Sequence, residues 1–486
     1  MGTTDLSFAS ATRLAEMIAG REVSSTEVLD HLLDRVGRLD GDINSVVTID
    51  EEAARAQAAA ADEAVVAASS EGLSLGPLHG VPMTVKDSYS TAGMLTTSGS
   101  PELADYVPVE DAWAVAAMRN AGAIPFGKTN LPIWAGDLQS FNEVFGTTNN
   151  PWDTSRTPGG SSGGSGAALA AGFTPIELGS DIGGSIRLPS HMCGVMGHKP
   201  SYAVAPGHGH IPSPPGMLSA ADLAVYGPMA RSVDDLELQL GLMAGPDRWD
   251  TPAWTLDLPK PRVTEASGLR VATWFDDERC PVDPDLRTLL EGAAHALEGA
   301  GAVVDDTARP GFTLEKVSAT FSQLLMAALS GGFDRARIEQ LAADESDTPI
   351  GRDRRATAMR HRDWLSNHER RLQMRKSFEE FFVDWDVLLM PVMPRTAFPH
   401  DHTFPQASRI AEVAGREIPY MDLVTWMAPA GCCYLPATVV PVGVASDGLP
   451  VGIQIVGPYL HDLTTLAVAR LLSELLLPIG PPPGFE

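Results

Sequence analysis

Positive charge is scarce in this chain of 486 residues: 35 basic side chains stand against 62 acidic ones, and only six of the 35 are lysine. A formal net charge of −27 repels phosphate backbones and anionic headgroups. That argues against direct nucleic-acid binding and against a membrane-surface role. No apolar run approaches the about 18 residues that signal a bilayer-spanning helix. Residues 1–21 lack a basic start followed by an apolar stretch, so no leader is expected. Cysteine is limited to Cys193, Cys280, Cys432 and Cys433, with no C-x-x-C spacing, and adjacent cysteines rarely bridge. Four free thiols in a reducing, cytoplasmic setting are expected.

What is abundant is apolar surface and loop-forming residues. Hydrophobic residues make up 44% of the chain, with 46 glycines and 38 prolines. That is a globular, loop-rich composition, long enough for a large core. No internal repeat and no convincing linker divides it, so residues 1–486 read as one large domain with insertions. The region 1–70 reads as helical, with Ser24 and Glu27 placed as a capping box and an alanine-rich run from Glu52 to Ala68. Beyond it, short apolar strands alternate with helices: 81–85, 124–126, 176–178, 269–274, 302–304, 387–389, 437–440 and 451–456 read as strands. Helices are expected over 111–121, 234–243, 285–298 and 462–475. That alternation predicts an α/β sheet with covering helices.

With so few lysines, each one merits inspection. Lys86 ends the apolar stretch VPMTVK. Burial there would strip the ammonium of hydration and lower its pKa, giving an amine usable as a base near neutrality. The alternative is an ion pair with the neighbouring Asp87. Two glycine–serine stretches follow, TPGGSSGGSG at 157–166 and GSDIGGSIR at 179–187. Glycines permit tight turns that present bare N–H groups, and such groups can hold a developing oxyanion. Ser185, placed directly after Gly183 and Gly184, has the setting of a nucleophile needing a base. A purely structural pair of turns, or an anion-binding nest, fits the same residues.

Other motifs point less clearly to chemistry. GAIPFGKT at 122–129 satisfies the P-loop pattern, yet Pro125 has no N–H to give a phosphate, and Ile124 and Phe126 are strand formers. Lys128 then reads as structural. His208 and His210, with His191 or His198, lack the spacing of a zinc site. Cys193, beside Met192 and Val195, reads as a small buried hydrophobe. No metal and no organic cofactor is expected.

The combined text resembles the amidase signature family. It reads GVPMTVKDSY at 80–89, GKTNLP at 127–132, FGTTNNPWDTSRTPGGSSGGSGAALAAG at 145–172 and ELGSDIGGSIRLPSHMCGVMGHKPS at 177–201. GPMARSVDD at 227–235, LLMPVMP at 388–394 and LPVGIQIVGP at 449–458 also fit. The resemblance is weakest from about 305 to 425. It implies a mixed, mainly parallel central sheet flanked by helices on both sides. It also implies Lys86 as base, Ser161 as a relay serine on a cis peptide bond, and Ser185 as nucleophile. The oxyanion hole falls on the N–H groups of Ile182, Gly183, Gly184 and Ser185. One stretch departs from the family: GCCYLPA places Gly431 and Tyr434 where a pattern of the form N-x-x-G-x-P-A has Asn and Gly.

The resemblance implies an amidase that hydrolyses a small carboxylic amide to acid and ammonia or amine through a Ser185 acyl-enzyme. Alternatives on the same machinery are an ester, carbamate or urea-type hydrolase, or the glutamine-hydrolysing subunit of a tRNA-dependent amidotransferase. The expected partner is the small-molecule amide; a homodimer is left open. The variable region 305–430 is expected to shape the substrate pocket through Phe321, Leu325, Met326, Phe333, Trp426 and Met427.

Overall fold

The computed structural model describes residues 6–211 and 214–486. The first five positions of the expected N-terminal helical region lie outside the described residues. The rest of that region folds much as its pattern predicts. Ser24 and Glu27 form the capping box that opens helix Ser25–Leu39. Asp50 caps helix Glu51–Glu71, which Gly72 ends in the left-handed conformation, at φ 70°. Strand Val46–Ile49 interrupts the helices.

Two sheets organise the remainder. The large one has eight strands in the order Val303–Asp305, Arg270–Thr273, Val387–Pro391, Pro450–Val456, Ala437–Val444, Met196–Lys199, Val225–Ala230, Ile176–Asp181. The small one has three, Val46–Ile49, Ile124–Thr129 and Pro82–Lys86. The class is α/β with a mixed sheet flanked by helices, as expected. The balance of directions differs from a mainly parallel sheet: only the two pairings at the Val303–Asp305 end of the large sheet are parallel, and the other five are antiparallel. Connection length explains this. A parallel neighbour needs a long crossover, which helix Pro284–Gly299 supplies between Arg270–Thr273 and Val303–Asp305. Ala437–Val444 and Pro450–Val456 are joined by a short turn that permits only the antiparallel arrangement.

Helices cover both faces. Thr438 Oγ1 donates to Thr465 Oγ1 of helix Asp462–Leu475 at 2.9 Å, on one face. On the other face Gly452 lies against His191 of helix Arg187–Cys193, so closely that a Cβ there would sit 3.2 Å from the His191 Cα. The core consists of the apolar strands and the inward stripes of these helices, Leu240, Leu290, Leu297, Leu466 and Leu472 among them.

The two sheets meet edge to edge. Ile176–Asp181 ends the large sheet and Pro82–Lys86 ends the small one. They share no backbone ladder; side chains join them. Thr84 Oγ1 donates to Glu177 Oε1 at 2.5 Å, Lys86 Nζ to Ser180 Oγ at 2.9 Å, and Tyr89 Oη to the Gly179 carbonyl at 2.6 Å. Exposed edge strands invite pairing with other chains; here each edge covers the other. The seam between them is where the candidate chemistry lies.

Candidate active site

Lys86 is fully buried at the end of its strand. Its Nζ has three hydroxyl partners: Ser161 Oγ at 2.8 Å, Ser162 Oγ at 2.9 Å and Ser180 Oγ at 2.9 Å. An ammonium donates to all three; a neutral amine donates to two and accepts from the third. The ion pair with Asp87 does not form. The Asp87 carboxylate instead accepts the N–H of Thr97 at 3.0 Å and its hydroxyl at 2.5 Å. Burial pushes Lys86 down to about 7, and the charges of Asp181 and Glu177 only partly oppose it.

The glycine loop brings Ser161 to that nitrogen. The Gly160–Ser161 peptide bond is cis. Close packing requires glycine at 160, since a Cβ there would lie 2.5 Å from the Asp137 carbonyl oxygen and 2.7 Å from the Gln139 nitrogen. Ser140 Oγ staples the loop, donating to the Gly159 carbonyl at 3.0 Å and accepting the Gly163 N–H at 3.1 Å. The two serine loops are then joined directly, because the Ser162 N–H donates to the Ser185 carbonyl at 3.2 Å.

Ser185 is buried on the second loop. Asp181 holds that loop in shape. Its carboxylate accepts the N–H of Gly184 at 2.9 Å and of Ile186 at 3.2 Å, and pairs with the Arg187 guanidinium at 3.0 Å through two nitrogens. Both side chains are fully buried. The Arg187 guanidinium and the backbone N–H donors keep Asp181 ionised despite burial. Arg187 also reaches the Met427 carbonyl at 3.1 Å and Gln454 Oε1 at 3.2 Å. Gly184 sits at φ 121°, a region that disfavours side chains. Of the four N–H groups expected to face an oxyanion, that of Gly184 is therefore committed to Asp181. Those of Ile182, Gly183 and Ser185 have no partner among the described residues.

The variable region lies against this loop. A Cβ on Gly183 would rest 3.7 Å from Leu325 Cδ2, and one on Gly184 3.0 Å from Met427 Cγ. Phe321 lies against Gly431, with its ring 2.9 Å from where a Cβ would sit. Trp426 is fully buried and donates from Nε1 to the Cys280 carbonyl at 3.1 Å, so it serves the core. Met326 packs half-buried against that core, and Phe333 is 48% exposed and stands outside the wall. Tyr434, at the departing position, stacks on Tyr202 with centroids 4.3 Å apart, and its hydroxyl donates to Asp222, which also binds Arg371 at 2.9 Å.

The other sequence candidates separate. Lys128 is buried within strand Ile124–Thr129, bonded to the Tyr89 carbonyl, Thr91 and Thr96, and forms no phosphate cradle. The four histidines have unrelated partners: His191 the Gly452 N–H, His198 Asp462, His208 Asp247, His210 Ser88. Among the described residues, no group of three or more His, Cys, Asp or Glu side chains is arranged to hold a metal. All four cysteines are free and buried. Burial pushes the Cys193 thiol far up, which removes it as a nucleophile. Among those residues no helix is long and apolar enough to cross a membrane. Sequence reasoning missed Ser180, Asp181 and Glu177 as neighbours of the site. The Asp181–Arg187 spacing inside the second glycine loop was the one available signal.

Comparison with known proteins finds similarity over nearly the whole chain. The family model described as Amidase matches residues 27–466. A glutamyl-tRNA(Gln) amidotransferase subunit from Moorella thermoacetica is 33% identical over 497 residues, covering 97% of each chain. The corresponding subunit from a Synechococcus species is 34% identical, covering 94% of this chain and 95% of that one. A solved structure of 6-aminohexanoate cyclic dimer hydrolase with substrate is 28% identical with a TM-score of 0.78, covering 98% of this chain and 99% of that one.

Proposed function

The chain belongs to the amidase family, and from that premise we propose that it hydrolyses a small carboxylic amide through a Ser185 acyl-enzyme. The observation that carries this reading is the 2.8 Å contact between Lys86 Nζ and Ser161 Oγ, both of them buried. Neutral Lys86 takes a proton from Ser161, which takes one from Ser185 as its Oγ attacks the amide carbonyl. The tetrahedral oxyanion meets the free N–H groups of the 182–185 loop. The relay returns its proton to the nitrogen, the C–N bond breaks, and ammonia or an amine leaves. Water then attacks the acyl carbonyl, activated by the same relay, and releases the acid and the free serine. Every atom and proton in this cycle comes from substrate, water or the three side chains.

Leu325 and Met427 set apolar side chains against the Gly183–Gly184 turn beside Ser185. That favours an alkyl or aryl acyl group, with esters and carbamates as slower relatives of the same chemistry. The sequence likeness to amidotransferase subunits favours a second reading, in which glutamine is the amide and ammonia passes to partner subunits. A screen of the purified chain against alkyl, aryl and amino-acid amides, with matched esters and EDTA controls, tests both. Turnover of a simple amide without partners supports the first reading. Activity on glutamine alone, appearing only with partner subunits, replaces it with the second.

A further inference from the structure

Glu177 has no part in the proton relay, yet it is a fully buried carboxyl in the seam that holds Lys86. Thr84 and Lys86 are two residues apart on one strand, so their side chains leave the same face. Thr84 Oγ1 binds Glu177 Oε1 at 2.5 Å, and Glu177 Oε2 accepts the Leu178 N–H at 3.0 Å. Thr129, the register partner of Lys86, joins Ser165 at 3.0 Å, and both hydroxyls also support the Glu177 carboxylate. Glu177 is thus tied to the strand that carries Lys86, through a hydroxyl two residues before it on the same face.

Several other buried charged groups have partners of their own. Arg187 pairs with Asp181; Asp462 holds His198 and Ser201; Lys199 gives its protons to the Pro200 and Leu435 carbonyls; Lys128 and Asp87 lie within each other's field. On the elements packed around Glu177, the titratable and charged groups are Lys86, Asp87 and Tyr89 from the first edge and Lys128 from its neighbour. Asp181 comes from its own strand, Tyr226 and Arg231 from the strand beside it, and His210 from the loop above. Arg231 is occupied with the carbonyls of Leu169 and Thr174, and Tyr89 with Gly179. Among the described residues, neither Lys86 nor Glu177 makes an ion pair: Lys86 feels the charge of Asp181 first and of Glu177 second, and Glu177 also lies in the field of Lys128.

We propose that Glu177 is a positioning residue that sets the proton affinity of Lys86, so that the pair, and not the lysine alone, defines the pH at which the relay becomes active. Burial pushes Glu177 up to about 7, the same range as Lys86. The charge of ionised Glu177 raises the proton affinity of Lys86. When Glu177 is ionised its charge holds the Lys86 proton; when it is neutral, Lys86 releases that proton at lower pH.

The test follows the Lys86 Cε carbon by NMR in protein labelled at its six lysines, assigned with a Lys86→Met variant. It is combined with pH–rate profiles on one amide. In Glu177→Gln the Lys86 midpoint and the acid limb of kcat/KM should both fall by about one pH unit, the scale of one buried charge. Just below the wild-type limb the variant should then be up to about tenfold faster. Glu177→Asp keeps the charge and should bring the limb back toward wild type. If Glu177→Gln does not fold, Thr84→Val serves: without its hydroxyl donor Glu177 ionises less readily, and the Lys86 midpoint should again fall. An unchanged or raised midpoint in the folded variant overturns the proposal. This inference rests on the proposed relay, but the NMR readout does not. A wild-type protein silent on every amide sinks the hydrolase reading while the Lys86 midpoint still decides the role of Glu177.

Discussion

The Asp181 carboxylate accepts the Gly184 N–H at 2.9 Å, so the residue beside the nucleophile is fixed by a buried ion pair and not by substrate. Asp181→Asn would remove the charge that balances Arg187. Leaving a buried guanidinium unpaired costs about 3–5 kcal/mol. Denaturant unfolding should register that loss. In protein that still folds, kcat should fall more than KM rises, because the loop shapes the oxyanion site more than it binds ground-state substrate.

Removing either serine separates nucleophile from relay. Ser185→Ala should abolish turnover and leave no acyl adduct in mass spectrometry. Ser161→Ala should retain the nucleophile and lose on the order of 10²–10⁴-fold in amide hydrolysis, the scale of general acid–base assistance. Matched esters should lose less, since an alkoxide leaves with less help than an amine. An adduct on any residue other than Ser185 would contradict the assignment.

Activity should rise with pH through about 7, where Lys86 loses its proton and becomes a base. Lys86→Ala should lose this limb and be partly relieved at high pH by hydroxide. A rate profile flat from pH 5 to 9 in the wild-type enzyme would be inconsistent with Lys86 as the base.

The same burial has a cost to stability. Lys86 titrates near 7 when folded and near 10.5 when free, so between those values the unfolded chain holds a proton that the folded chain lacks. Unfolding free energy therefore rises with pH across that window, and the penalty is fully present below about 7. Lys86→Met, close in shape and uncharged, should melt higher than wild type at neutral pH and lose that advantage as pH approaches 10.5. Calorimetry across the range checks the direction.

Leu325→Ala should widen the space over Gly183 without touching the relay. The preference for a bulky over a small acyl group should shift by roughly tenfold or more, the range for one or two methylenes in an apolar pocket. Selectivity ratios from kcat/KM on paired amides measure it. An unchanged ratio would remove Leu325 from the pocket wall.

Much of the fold was legible because many of its elements are apolar and regular. The expected strand at 451–456 appears as Pro450–Val456, and the closing helix at 462–475 as Asp462–Leu475. What escaped pattern reading is polar but buried. Strand Met196–Lys199 carries His198 and Lys199, which look like surface residues until Asp462 and the Leu435 carbonyl are brought to them from far along the chain. Strand Val225–Ala230 contains Pro228, and helix Arg187–Cys193 contains Pro189 and is short, so neither shows a clean period. Lys86, Ser161 and Ser185 were readable from their glycine and strand settings together with the family resemblance. Ser180 and Glu177 were not, since only the meeting of two sheet edges brings their strand to that of Lys86.

Where the residues around Ser185 come from along the chain has a consequence for how this protein can change. The base and both serines lie within residues 86–185, whereas the side chains resting on the oxyanion loop, Leu325 and Met427, arrive from helix Leu314–Ala328 and the turn Tyr420–Met427. Drift in those later stretches can retune what is admitted while the reacting atoms stay fixed. A library randomised at 325 and 427 alone therefore samples new substrates at little risk to the chemistry, and directed evolution of this scaffold should begin there.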